Sequence, residues 1–211
     1  MDTIEKVRAP EQVVISPPNF QRATLRLIGT SPYVQHRFSQ KAQNMMEEKQ
    51  RAGSRAAKNR KREARDFEED YREASHISRD GWYGIPAPSF RNALISACRV
   101  AGFAMTRAKL SVFVEADGID AVDGTPLIRL IGEPRALTMP VRNATGVADL
   151  RIRPIWEQWS CDLRLRWDGD QFSPADVVNL VSRAGLQVGI GEGRPDSPNS
   201  NGVGWGCWEV E

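Results

Sequence analysis

The chain has 211 residues, a formal net charge of +2 and 40% hydrophobic residues. This length suits one domain, or one domain with a large insertion, and the small net charge excludes a polycation, so local charge must attract any acidic partner. The three cysteines are far apart and form no CxxC pair, which disfavours a disulfide framework or a zinc site and favours a reducing cytoplasm. The N-terminal residues lack the apolar segment of a signal peptide, and no apolar run reaches the ~18 residues of a membrane span.

The first third of the chain combines one predicted strand with a charged insertion. Residues 1–19 are polar and predict an N-terminal arm, and "ATLRLIGTS" at 23–31 alternates as a strand does. Residues 37–78 predict a helical insertion, and between Lys49 and Arg65 they hold eight basic residues against one acid. This segment is either a solvated helix or a mobile basic arm that becomes ordered against a phosphate backbone.

The middle of the chain predicts a helix and two strands. "GWYGIPAPSFRNALISACRVAG" begins at Gly81, and Ser89 is the expected N-cap of a helix that Gly102 ends. The apolar face of that helix has the spacing i, i+3, i+4, i+7 and i+8, in Phe90, Ala93, Leu94, Ala97 and Cys98. "KLSVFVEADGI" and "TPLIRLIGEP" predict strands with DG turns near residues 117 and 123.

The last third completes a pattern of alternating strands and helices. Residues 134–159 are basic and interrupted by proline, and they predict an irregular insertion. "SCDLRLRW" at 160–167 predicts a half-buried strand, and "SPADVVNLVSRAG" predicts a helix capped by Ser173 and ended by Gly185. "GWGCWEV" is the expected last strand. Without the insertions the order is β-α-β-β-α-β, so residues 20–211 predict one α+β domain, a ferredoxin-like, RRM-type antiparallel sheet with helices over one face.

A glycine-rich loop, "GIGEGRPDSPNSNGVGWG", precedes the last strand. It is neither a dinucleotide fingerprint nor a P-loop, because a helix precedes it, a strand follows it and no GK[ST] is present. Glycines allow close backbone approach, and consecutive N–H groups can cradle a phosphate that Arg194 would also bind. Arg91, in the first turn of the preceding helix, opposes the helix dipole, and an anionic partner would explain it. The alternatives are a flexible connection and a solvated arginine.

The aromatic residues and the two histidines offer further candidates. Trp205 and Tyr83 neighbour glycine or arginine and are candidates for stacking on bases, although most tryptophans belong to a core. His36 and His76 could form an acid–base pair for RNA cleavage, with His36 the better candidate because Arg37 and Lys41 are near it in sequence. Three aspartates, Asp117, Asp120 and Asp123, occupy turn positions and predict no metal site, and no cofactor is expected.

Three segments together resemble the RAMP superfamily, RNA-binding proteins best known as backbone subunits of CRISPR effector complexes. "GIPAPSFRNALISACR" is similar to that family's loop-to-helix junction, with Arg91 near its usual lysine and Arg99 after it, although FRNA stands where SLKGA is usual. The glycine-rich loop before the last strand and the basic insertion after the first are the other two matches. The chain also resembles a protein encoded in tailed-phage genomes. The first resemblance implies an RRM-type core that binds single strands, as a repeating oligomer.

The sequence therefore leads to a first hypothesis of a non-catalytic, cytoplasmic protein that binds single-stranded RNA or DNA. It would oligomerise along the strand or belong to a ribonucleoprotein, away from membranes. One alternative is a metal-independent endoribonuclease that uses His36, and another is a structural protein that assembles without nucleic acid. The expected nucleic-acid-binding residues are Lys41, Arg55, Lys58, Arg60, Lys61, Arg62, Arg91, Arg142, Gly189, Gly191, Arg194 and Trp205.

Overall fold

The structure is a computed structural model that describes residues 15–38, 44, 46–48, 50–51, 66–142, 148–197 and 203–211, with the backbone alone at 141–142 and 148–149. Within these residues the elements run β1 (Phe20–Gly29), β2 (Tyr33–Val34), α1 (Phe67–Glu73), β3 (Gly84–Pro86), α2 (Ala87–Val100), α3 (Met105–Ser111), β4 (Val112–Glu115), β5 (Gly118–Ile119), β6 (Pro126–Arg129), β7 (Arg135–Arg142), β8 (Ala148–Trp156), β9 (Ser160–Asp168), α4 (Pro174–Arg183) and β10 (Trp208–Val210). None of the helices among these residues is long and apolar enough to cross a membrane.

The largest sheet has four antiparallel strands in the order β10-β1-β9-β4. Strand β9 alternates between buried and more exposed residues, as its sequence predicts, because one face of the sheet lies on the core. The helices α2 and α4 cover that face, and the ring of Phe90 on α2 meets Trp208 of β10 edge-to-face at 5.5 Å. The predicted α+β class with antiparallel pairing is confirmed.

Helix α2 buries the predicted apolar residues but begins earlier than expected. Its N-cap position is Pro86, without a side-chain cap, so the prediction that Ser89 caps the helix is wrong. The prolines at the start explain the difference. N–H groups in the first turn of a helix have no acceptor within the helix, so prolines, which lack this group, are tolerated there. The end is as predicted, since Gly102 follows the helix with φ 70°.

Helix α4 has the predicted start and a later end. The Ser173 hydroxyl accepts the N–H of Asp176 at 3.2 Å, and the Asp176 carboxylate accepts the N–H of Ser173 at 3.0 Å, which is a capping box. The expected end at Gly185 is wrong, because a π-helical turn continues over Ala184–Val188. A glycine is needed at position 185 because a side chain would not fit, and not because it ends the helix. A Cβ there would lie 2.2 Å from the carbonyl oxygen of Trp208.

The segment 134–159, expected to be irregular, forms a strand pair instead. Strands β7 and β8 pair antiparallel from Arg135↔Ile155 to Arg142↔Ala148, and β2 pairs with the other edge of β8. Prolines do not prevent this pairing where the strand needs only a carbonyl acceptor. Pro154, for example, accepts the N–H of Gln35 at 3.1 Å.

A third sheet, in the order β3-β6-β5, connects the end of the charged insertion to the core. Of that insertion, expected to be helical over 37–78, the structure describes helical residues at 44, 46–48 and 50–51 and the helix α1, and the residues after α1 form isolated bridges, Ile77↔Tyr83 and Ser78↔Asp120. Residues 109–111, expected to begin a strand, end helix α3, in which Ala108 and Ser111 are buried. These bridges bring His76, Tyr83 and Asp120 close to β2.

Candidate functional site

A groove separates the start of helix α2 from the glycine-rich loop. It consists of two adjoining hollows, a histidine hollow of about 390 Å³ and a helix hollow of about 260 Å³. Ser89, Gly191 and Arg194 line both of them. The loop-to-helix junction and the glycine-rich loop, which the sequence analysis singled out separately, therefore form the two walls of one site.

The glycine-rich loop is folded back on itself, and its glycines make this possible. Gly189 and Gly191 have φ of 69° and 78°, and a Cβ on Gly191 would lie 2.5 Å from the Val34 carbonyl oxygen. The N–H of Ile190 donates to Gly206 at 3.0 Å, and the N–H of Gly206 donates to Pro32 at 2.8 Å. The described part of the loop is thus anchored beside β2, which holds its glycines at the groove.

The glycine-rich loop also offers backbone N–H groups to the groove. Those of Gly191 and Gly193 have no acceptor within the described part of the chain, and both residues line the histidine hollow. The Arg194 guanidinium donates to the Gly191 carbonyl at 3.1 Å through Nη1, which keeps it at the boundary of the two hollows. N–H groups and a guanidinium close together are suited to bind an anion.

His76 contributes its ring to the histidine hollow and is fixed from behind. Its Nδ1 lies 2.8 Å from Oδ2 of Asp120, a residue only 1% exposed. Its backbone N–H donates to Oε1 of Gln35 at 2.8 Å, and Nε2 of Gln35 donates to the Gly84 carbonyl at 2.8 Å. A buried carboxylate on Nδ1 favours the proton at that nitrogen, which leaves Nε2 as the acceptor in the neutral ring.

His36 lies in the same hollow in a different environment. Its Nδ1 is 3.9 Å from Oε2 of Glu192, and Nε of Arg153 is 2.8 Å from that same oxygen. Burial, with the charge of Arg153, lowers the pKa of His36 to about 4. The structure thus brings together the two histidines that the sequence offered as a pair, and His36 is neutral near pH 7.

Arg37 does not support His36 as its sequence position suggested. It is buried, with Nη2 3.6 Å from Oδ1 of Asp120 and Nε 3.3 Å from Oδ2 of Asp123. Ligand atoms of His76, Asp120 and Asp123 lie within 4.8 Å of one another, a distance compatible with a metal site. The Arg37 guanidinium already supplies a positive charge to both carboxylates, so this cluster is described best as an ion-pair network in which Arg37 and Asp120 are buried and Asp123 is exposed.

The remaining predicted residues are dispersed. Arg91 donates to the Lys109 carbonyl and lies 5.8 Å from the Phe113 ring, and it does not line the groove. Trp205 packs on Gly193, where a Cβ would lie 2.6 Å from its ring. Tyr83 meets Trp156 edge-to-face at 5.5 Å. The residues whose side chains lie outside the described part of the chain are Lys41, Arg55, Lys58, Arg60, Lys61, Arg62 and Arg142.

The open face of the four-stranded sheet also carries aromatic residues, but they are occupied. The guanidinium carbon of Arg166 lies 4.6 Å from the Phe20 ring and 5.0 Å from the Phe113 ring. Every other arginine of β1 and β9 has an acidic partner, in the pairs Arg22–Glu115, Arg26–Asp162 and Arg164–Asp117. The arginines of β1 and β9 and the rings of Phe20 and Phe113 on this face therefore already have partners within the chain.

The groove residues that the sequence analysis missed include Gln35, Glu192, Ser96 and Asp196, and the second role of Asp120 was missed as well. No local pattern indicates them, because each acts on a residue distant in sequence. No known protein-family profile matches the chain, and no curated protein matches it either. The chemistry of the groove, with N–H donors, a guanidinium and two histidines, fits an anionic ligand with polar edges.

Proposed function

We propose that the chain binds single-stranded nucleic acid in the groove between α2 and the glycine-rich loop. The observation that carries this proposal is the position of Ser89, Gly191 and Arg194 at the boundary of both hollows. A continuous groove with donors at its centre is suited to a phosphodiester backbone, which repeats its charge along its length.

The donors come from three different sources. The start of α2 has no side-chain cap, and although Pro88 has no N–H to offer, the N–H of Ser89 lies in this first turn, where the helix dipole favours negative charge. The loop adds the N–H groups of Gly191 and Gly193, and Arg194 adds a guanidinium that can bind two phosphate oxygens. None of these donors requires a particular base, which suits binding with little sequence preference.

We further propose a ferredoxin-like core for this site. The strand order β10-β1-β9-β4, with α2 between β1 and β4 and α4 between β9 and β10, supports that arrangement. The groove then lies at the N-terminal end of α2, at one end of the sheet rather than on its open face. Assembly of several copies along one strand belongs to the same proposal.

The test is binding of labelled single-stranded RNA, single-stranded DNA and duplex DNA of about 30 nucleotides, each titrated over salt. We expect single strands to bind, with an affinity that falls as salt rises. Arg194→Gln is expected to weaken binding about tenfold, the effect of losing one charge-assisted hydrogen bond. It should also reduce the salt slope by roughly 0.7, the value for one phosphate contact on a single strand.

The matched control is Arg22→Gln, which removes an exposed arginine of the open sheet face. We expect this variant to bind as the wild-type chain does. If Arg22→Gln weakens binding and Arg194→Gln does not, the strand lies on the sheet and the groove proposal is wrong. If no nucleic acid binds even at low salt, the proposed function is wrong as a whole. Light scattering with and without the strand tests assembly in the same samples.

A second candidate function is metal-independent cleavage of RNA, favoured by the two histidines of the histidine hollow. His76, oriented by Asp120, is better placed than His36 to be the base, a change from the sequence hypothesis. Its Nε2 would take the proton of a 2′-hydroxyl as that oxygen attacks phosphorus and the bond to the 5′-oxygen breaks. The leaving oxygen needs a proton, which His36 could give once a bound phosphate has raised its pKa.

Cleavage and binding are separated by two conservative variants. His76→Gln is expected to abolish cleavage of the RNA and to leave binding within about threefold, because glutamine keeps a polar side chain but cannot act as the base. His36→Gln is expected to slow cleavage and to remove the fall in rate at high pH, because a general acid acts only while it is protonated. Cleavage that survives in His76→Gln would exclude this candidate, and binding without cleavage by the wild-type chain would leave the first proposal alone.

A further inference from the structure

The glycine-rich loop and helix α2 are joined by a small polar cluster around Asp196. Nη2 of Arg99 lies 2.7 Å from Oδ2 of Asp196, and the Ser96 hydroxyl donates to that same oxygen. Nη2 of Arg99 also lies 2.6 Å from Oγ of Ser96. Ser96 and Asp196 line the helix hollow beside Arg194, so this cluster is part of the groove wall.

The surroundings of this carboxylate are those of an anion-binding position. The hydrogen bond from Ser96 contributes most to lowering the pKa of Asp196, and the charges of Arg99 and Arg194 add to it. A hydroxyl and one guanidinium thus contact a single anionic oxygen, and the Arg194 guanidinium lines the same hollow. The Arg99 side chain is 55% exposed and that of Asp196 is 34% exposed, so solvent and ligands can reach the pair. An ion pair this exposed contributes little to stability and can be exchanged for another anion.

We propose that Ser96 and Arg99 form a second phosphate-binding position, and that the Asp196 carboxylate occupies it until a phosphate of the bound strand displaces it. This inference rests on the proposed function and extends it from one position to two. Ser89 and Ser96 are seven residues apart on one helix, which separates the two positions by about 10 Å along the axis of α2. The carboxylate then acts as an internal competitor that weakens binding of any short anion.

A purely structural role for the same contact leads to a different result. If Asp196 only fastens the loop to the helix, removing either member of the pair loosens the groove in the same way. If Asp196 occupies a phosphate position, its removal frees the donors, whereas removal of Arg99 destroys the position. Changes in RNA affinity of opposite sign in the two variants therefore support the inference, and changes of the same sign contradict it.

The experiment uses the full chain with Asp196→Asn, Arg99→Gln and the double variant, and with Asp162→Asn as a control. Asp162 is exposed and pairs with Arg26 on the open sheet face, so this control removes a carboxylate away from the groove. Two probes are used, inorganic phosphate and a single-stranded RNA of about 30 nucleotides. Phosphate binding is measured as the rise in melting temperature that the anion causes within each variant.

We expect phosphate to raise the melting temperature of Asp196→Asn more than that of the wild-type chain or of Asp162→Asn. The RNA should bind Asp196→Asn about fivefold or more tightly, with a salt slope steeper by roughly 0.7, one additional phosphate contact. Arg99→Gln should weaken RNA binding, and the double variant should lose the gain. If Asp196→Asn is too unstable to measure, Arg99→Gln still decides, since RNA binding at the wild-type affinity would contradict a phosphate contact there.

The outcomes separate this inference from the proposed function. RNA binding that is equal in the wild-type chain and Asp196→Asn overturns the second position and leaves the groove proposal standing. A larger phosphate effect in Asp196→Asn, without RNA binding in any variant, supports the anion position and contradicts the nucleic-acid function. A loss of RNA affinity in both single variants identifies the pair as a structural fastening only.

Discussion

His76 and Asp120, distant in sequence, form a buried pair at the back of the groove, with Nδ1 2.8 Å from Oδ2. The other oxygen of Asp120 accepts the N–H groups of Val122 and Asp123, at 2.8 Å and 3.2 Å. One carboxylate therefore builds a turn and orients the imidazole. Because Arg37 lies beside it as well, the charge of Asp120 is needed for stability and for the geometry of the site.

The first prediction concerns the charge of Asp120. Asp120→Asn keeps an oxygen for the turn but removes the negative charge beside buried Arg37 and His76. Breaking a buried ion pair in this way is expected to cost about 3 kcal/mol of unfolding free energy, at the lower end of such effects because Arg37 keeps Asp123. Urea unfolding measures it. The exposed Asp162→Asn should cost at most about 1 kcal/mol, and equal costs would show that the buried network contributes nothing.

The second prediction concerns stability in mild acid. The pKa of His36 is lowered to about 4 in the folded chain, whereas an unfolded histidine has a pKa of about 6.5. Between these values the unfolded chain binds more protons, so stability is full above about pH 6.5 and falls as pH drops towards about 4. His36→Gln should flatten this dependence when urea unfolding is compared at about pH 7 and about pH 5. If the pH dependence of the unfolding free energy is unchanged in His36→Gln, groups other than His36 cause it.

The third prediction compares two glycines of the loop. Gly206 has φ 69°, and a Cβ there would lie 1.8 Å from the Ile190 carbonyl oxygen, whereas Gly204 has φ 79° and nothing within 4 Å. Gly204→Ala should cost about 1 kcal/mol, the strain of a left-handed residue. Gly206→Ala adds a collision with the backbone and should lower the unfolding free energy by about 3 kcal/mol or more. It should also weaken binding of single-stranded nucleic acid. Similar losses of unfolding free energy in both variants would mean that the loop adjusts freely.

The fourth prediction concerns the capping box of α4. Ser173→Ala removes the oxygen that accepts the N–H of Asp176, and the expected loss of unfolding free energy is about 1 kcal/mol. Ser182→Ala is the matched control, because its exposed hydroxyl only donates to the Val178 carbonyl within the helix, and its expected effect is within about 0.5 kcal/mol. Both values come from thermal or urea unfolding, and the ranking is contradicted if Ser182 proves the more important residue.

Those parts of the fold that depend on local pattern could be predicted from the sequence. The alternation of β9, the apolar face of α2 and the capping residue of α4 follow from which side of one element is buried. Strand β8 shows the limit of that reasoning. Arg153 is only 5% exposed, so in this strand polarity does not indicate which face is buried, and prolines conceal the period.

The candidate site was predictable in its parts but not in its assembly. Glycines 189 and 191 have the positive φ that their pattern suggested, and Arg194 lies with them. The partner of His76 could not be found, because Asp120 has the local signature of a turn residue and does form that turn. Contacts between residues so far apart in sequence leave no periodic signal, and only the folded chain shows which acid meets which of the two histidines.

The position of β10 has a consequence for the order in which the chain folds. Strand β1 pairs with β9 along one edge and with β10 along the other, in a register that joins Gly29 to Trp208. Such pairing has a high contact order, which slows folding because a long loop must close first. During synthesis, β1 can therefore pair with β9 and β10 only after the residues that separate these strands from it have been made. We expect the glycine-rich loop, which Gly206 anchors, to fold among the last events, after Gly206 and β10 have left the ribosome.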